Sequence, residues 1–66
     1  APVKVGEVLD LVIEEPHSQS DSDGIARIEG YVIQVEGAGS KVGQKVRVEI
    51  TSSLRTFARA VMIDED

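Results

Sequence analysis

With 66 residues, 41% of them hydrophobic and 29% charged, the chain has room for one domain around one small core. That is close to the size below which a hydrophobic core alone stops sufficing. It contains no Cys, which excludes disulfides and thiolate metal sites as sources of stability. The net charge of −5 excludes a long-range field that would gather nucleic acid or anionic membrane, so contact with either would rest on local basic patches.

No apolar run approaches the roughly 20 residues of a membrane helix, and no basic-then-apolar signal peptide opens the chain. The expectation is a soluble, cytoplasmic, monomeric domain over residues 1–66. Its apolar residues are mostly Val, Ile and Ala, which predicts a small aliphatic core.

Leu9, Leu11 and Ile13 recur at period two, with Asp10 and Glu14 on the other face, and predict a first strand. Val8 and Val12 fall on the nominally polar side, which predicts partial cover from a terminus or a loop. Residues 15–23 (EPHSQSDSD) are polar throughout and contain Pro16. Their Ser and Asp side chains compete for backbone hydrogen bonds, so a mobile loop is expected.

The stretch DGIARIEGYVIQVEGA, residues 23–38, organises the rest. Gly24 and Gly30 bracket one apolar segment and Gly37 closes a second, a pattern that predicts a β-hairpin. In its first strand, residues 25–29, Ala26 and Ile28 point inward while Ile25, Arg27 and Glu29 face out. In its second, residues 31–36, Ile33 and Val35 point inward while Val32, Gln34 and Glu36 face out. Tyr31 lies at the turn, and its direction is left open.

Three glycines make residues 37–44 a turn-rich connection, with Val42 expected to plug one end of the core. Val46, Val48 and Ile50 then alternate with Lys45, Arg47 and Glu49 in the clearest strand of the chain. After a turn over residues 51–55, a last strand over residues 56–63 directs Ala58, Ala60 and Met62 inward and Phe57, Arg59, Val61 and Ile63 outward. The acidic tail, Asp64 with Glu65 and Asp66, is expected to fray. Five short strands with small inward residues on the last suit a small antiparallel β-barrel, which also removes exposed sheet edges.

With the strands placed, the chain resembles the TRAM domain. This is a small OB-like β-barrel found appended to RNA-modifying enzymes and as free-standing archaeal proteins. The resemblance is carried by Val5-Gly6-Glu7, Leu11 and Ile13, DGIARIEGYVI, Val35, Gly37-Ala38 and Val42-Gly43. It continues through Val46-Arg47-Val48-Glu49-Ile50 and Phe57-Ala58-Arg59-Ala60. It implies binding of RNA, often tRNA, without chemistry of its own. Gln34 and Arg59 stand where family members typically carry aromatics, and Glu36 where Pro is usual.

Phosphate neutralisation dominates nucleic-acid affinity, and Arg27, Lys45, Arg47, Arg55 and Arg59 all fall on outward faces or turns. Outward Lys and Arg are as often simply solvated. Phe57 and Arg59, two apart on one strand, offer a ring for base stacking beside a guanidinium. The plain alternative for Phe57 is a cap on the barrel core, and for Tyr31 a core-edge ring. Lys41, in the Gly-rich connection, is a possible backbone contact or a solubilising turn residue. Gln34 is a possible base-edge contact or an idle strand residue.

His17 lacks a nucleophile with a fixed partner, and Asp21-Ser22-Asp23-Gly24 lacks the remaining oxygen ligands of a calcium loop. The strand carboxylates alternate with core positions as solvated faces do. No catalytic residue, cofactor or metal site is expected. The functional expectation is an RNA-binding barrel, in the manner of a small RNA chaperone or a tRNA-binding accessory. The alternatives are an accessory domain of an RNA-modifying enzyme and an acidic barrel that meets a basic protein partner. The acidity itself also fits a salty cytoplasm, where phosphate contacts weaken.

Overall fold

A computed structural model describes residues 2–63. Six strands form one sheet: β1 (Val8–Val12), β2 (Glu15–His17), β3 (Ser20–Ile28), β4 (Tyr31–Glu36), β5 (Lys45–Ser53) and β6 (Phe57–Met62). They lie in the order β1-β5-β6-β4-β3-β2. The two outermost strands are consecutive in sequence, which is what bends the sheet toward a barrel. Ile13, just past β1, donates to Gln44 O at 3.0 Å and accepts from Gly43 N at 2.7 Å. Glu14 then donates to Ile25 O at 2.8 Å. One run of chain therefore pairs with β5 at its start and with β3 at its end.

The all-β barrel expected from the strand pattern, and OB-like by the resemblance, is the fold found, and it differs from that expectation in three details. β4 and β6 run parallel, Val32 opposite Phe57 through Glu36 opposite Val61, while the other pairs are antiparallel. The first expected strand continues past Ile13–Glu14 into β2, giving six strands where five were expected. Residues 15–23 are not a loop. β2 and β3 form a hairpin around Ser18 and Gln19, in which Gln19 N donates to His17 Nδ1 at 3.1 Å.

Ser and Asp propensity is overridden in this hairpin by tertiary pairing. The Asp23 carboxylate accepts from Gln34 Nε2 at 2.7 Å and from Gly37 N at 3.3 Å. Gly24 sits in mid-strand rather than at a turn. A Cβ there would lie 2.6 Å from Ile13 Cγ2 and 2.7 Å from Ala38 O, so glycine is required for close approach. The turn that glycine does make is the next one. Glu29 (φ 52°) and Gly30 (φ 86°) are both left-handed, as a two-residue turn matched to strand twist requires.

Ile13, Ile33, Val35, Val48 and Ile50 form the centre of the core. Ala58 and Ala60 face Ile33 and Val35 across the parallel pair, the small-against-large alternation that lets a narrow barrel fill without strain. Ala38, fully buried, plugs the end of the core. Val42, expected in that role, is 45% exposed, because residues 38–44 turn back on themselves through Lys41 N→Ala38 O and Gln44 N→Lys41 O. Val8 and Val12 are 50% and 48% exposed, so what covers them is partial. Val3 is buried and held by Ser53 Oγ→Val3 O at 2.9 Å. The acidic tail lies outside the described residues.

Candidate nucleic-acid interface

Strand register assembles the outer face of β3, β4 and β6 row by row. Arg27, Val32 and Phe57 lie side by side, and the next row is Ile25, Gln34 and Arg59. Alternation sends these residues outward because Ala26, Ile33 and Ala58 between them are buried. Phe57 and Val32 are half-buried and Arg59 is exposed, so the face combines a ring, an aliphatic surface and a cation. A bulge between Ile50 and Ser52 bends β5 where it meets Arg59, and Thr51 Oγ1 donates to Arg59 O at 3.3 Å. Bulges of this kind re-aim side chains.

Arg55 stands exposed on the short turn between β5 and β6, two residues before Phe57. A groove of about 220 Å³ extends the face toward the β2–β3 hairpin, with Pro16, Ile25 and Val32 among its walls. Ile25, read from the sequence as an outward residue, is on this face but only 8% exposed. Val32 and Ile25 are the contributors that sequence reasoning missed. The signal was their outward position in the alternation, which is costly for an apolar side chain unless something covers it.

The predicted basic residues do not form one patch. Arg27 is neutralised by Glu14 at 2.8 Å and Glu15 at 2.6 Å, and the Glu15 carboxylate, then Glu14, raises its pKa above the ordinary guanidinium value. Arg47 pairs with Asp10 at 3.1 Å. Among the described residues, Arg55, Arg59, Lys41 and Lys45 have no carboxylate within ion-pair distance. Lys41, Lys45 and Arg47 lie together in a separate groove near β1, β5 and the end of β6.

Tyr31 is a core residue and no stacking platform. It is 8% exposed, and its hydroxyl lies between Leu54 O (2.5 Å) and Phe57 O (2.8 Å), donating to one at a time. It thereby anchors the turn that carries Arg55 and the first residue of β6. Gln34 donates to Asp23, whose pKa is lowered chiefly by that bond and next by Gly37 N. That bond uses the amide nitrogen of Gln34. Among the described residues no cluster of His, Asp or Glu could hold a metal ion, and no helix is long and apolar enough to cross a membrane.

A six-stranded sheet that curls toward a barrel around one small aliphatic core belongs to the class of small OB-like β-barrels. Within that class, the chain belongs to the TRAM domain family, whose defining sequence pattern matches residues 2–63. The TRAM domain is a non-catalytic module, and RNA is the kind of partner it binds.

The chain is 38% identical to a ribosomal RNA large subunit methyltransferase E of Halorubrum lacusprofundi over 97% of its own length. It spans only 22% of that enzyme. It is 40% identical to an uncharacterized protein of Methanocaldococcus jannaschii, over 94% of this chain and 75% of that one. The solution structure of a conserved protein of Methanococcus maripaludis superimposes with a TM-score of 0.83 at 33% identity. That match covers 97% of this chain and 86% of the other.

Proposed function

We propose that the chain binds unpaired RNA, weakly and with little sequence preference, through the outer face of β3, β4 and β6. Phe57 stacks on a base, Arg59 and Arg55 neutralise phosphates, Val32 and Ile25 give the base an apolar bed, and Gln34 accepts from a base edge. The observation that carries this reading is the pairing of Phe57 and Arg59, two residues apart on β6, with no carboxylate claiming the guanidinium among the described residues. Unpaired segments of a folded RNA, tRNA included, are the substrates that such a surface favours. Binding them shifts RNA folding by mass action and melts weak misfolded helices without ATP, which is a chaperone's action.

A second reading is supported by the methyltransferase relative, of which this chain spans 22%. The same face would then hold RNA for an enzyme whose chemistry lies elsewhere. Both readings share the stacking contact and are tested together by fluorescence anisotropy with a labelled unstructured RNA. Stacking is worth about 1–3 kcal/mol per base, so Phe57→Ala should weaken binding by about 5- to 150-fold. Unchanged affinity in a folded Phe57→Ala protein contradicts the reading. A fluorophore–quencher hairpin whose signal stays closed at saturating protein removes the chaperone version alone.

A further inference from the structure

A second groove, of about 590 Å³, is rimmed by Lys41, Lys45, Arg47 and Asp10. Half-buried Val46, Met62 and Ile63 supply its apolar surface, and its size falls within the 300–1,000 Å³ of small-molecule sites. Three of the chain's seven cations gather here in a protein of net charge −5. Lys41 and Lys45 have no carboxylate partner among the described residues. Lys45 is held on β5, while Lys41 is brought in by the turn that hydrogen-bonds Gln44 N to Lys41 O.

This groove does not continue the face around Phe57. Along β6 the Cα atoms of Arg59 and Ile63 are about 13 Å apart at strand rise. Between them Val61 is flanked in register by Glu36 on β4 and Glu49 on β5. An RNA backbone following β6 would have to pass that bar of carboxylates. The fold therefore separates two cationic sites, each with its own apolar surface.

We infer that the groove of Lys41, Lys45, Val46 and Ile63 is a second RNA-contact site, so that one domain holds two RNA segments at once. A phosphodiester sits at the two lysines, and the attached base packs on Val46, Met62 and Ile63. The bridging rests on the proposed function of the first face. Its consequence is strand bringing-together: two unpaired segments held on one barrel meet at raised effective concentration, which adds annealing to melting.

The test mixes the protein with two non-complementary unstructured RNAs, one carrying a donor dye and one an acceptor, with amide shifts followed in parallel. Energy transfer should rise with protein, fall again at excess protein as the strands separate onto different copies, and disappear in Lys41→Glu/Lys45→Glu. That variant should keep the RNA-induced shifts at Phe57 and Gln34. Lys41→Gln/Lys45→Gln, which reverses no charge, should lose most of the transfer too. Transfer that persists in both variants overturns the second site. So do shifts at Phe57 without shifts at Val46 and Ile63, which leave the first face standing. Shifts at Val46 and Ile63 alone overturn the first face and the bridging with it. Equal shifts from a polyglutamate peptide overturn the RNA assignment in favour of an acidic protein segment.

Discussion

Phe57 and Tyr31 are the chain's two aromatic residues, and the fold gives them opposite tasks. Phe57 offers its ring on the outer face, whereas Tyr31 lends a hydroxyl to the turn beneath it. Tyr31→Phe should therefore cost about 0.5–1.5 kcal/mol of stability, the net worth of an ordinary hydrogen bond. RNA affinity should stay unchanged once the protein is folded. Urea denaturation read beside anisotropy separates the two effects, and a loss of affinity without a loss of stability would return Tyr31 to the binding face. Asp23 supplies a pH dependence. Its native pKa is depressed by Gln34 and Gly37, so its stabilising contribution is full above the unfolded carboxylate pKa. It is lost as pH falls through the native value. Asp23→Asn should flatten the fall in urea midpoint below about pH 4, the unfolded reference, and an unflattened curve would mean that other carboxylates carry it.

The two hairpins show how far period and turn chemistry reach. The β3–β4 hairpin was legible because Ala26, Ile28, Ile33 and Val35 alternate around Glu29–Gly30, and β4 spans the expected residues. The β2–β3 hairpin was not, since Ser and Asp there carry no apolar alternation. What holds it is read only from the paired strands: Glu14 and Glu15 on Arg27 across the hairpin, and Asp23 on Gln34 of the neighbouring β4. Gly24 carries the same lesson, because its need for closeness arises from Ile13 and Ala38, eleven positions before it and fourteen after. Gly24→Ala should cost about 1–3 kcal/mol as an overpacked site, or about 4–8 °C in melting temperature per kcal/mol for a domain this size. A variant melting at the parent's temperature would show that Ile13 and residues 37–39 yield freely. The parallel β4–β6 pair was equally out of reach, because strand periodicity fixes which face a residue takes and says nothing of which strand lies beside it.

For the whole molecule, acidity and RNA binding are reconciled by where the cations sit. Ion pairs occupy Arg27 and Arg47, and of the other five cations the proposal uses Arg55 and Arg59 on the first face and Lys41 and Lys45 in the groove, leaving Lys4 apart. The sequence alone supplied these residue types and their outward directions, but their division into two sites follows from sheet order. Each phosphate contact on a single strand contributes about −0.7 to the slope of log affinity against log salt, so two contacts give about −1.4 and four about −2.8. A slope steeper than about −4 would need more free cations than the described surface offers.

Whether the face around Phe57 and Arg59 receives unpaired RNA is decided by amide-shift NMR. A short unstructured RNA would be titrated at two salt concentrations beside a matched hairpin. Shifts are expected at Val32, Gln34, Phe57 and Arg59 with the unpaired strand, weaker with the hairpin and weaker again at high salt. A spectrum unchanged at high RNA concentration, or shifts that ignore β4 and β6, would contradict RNA contact at this face.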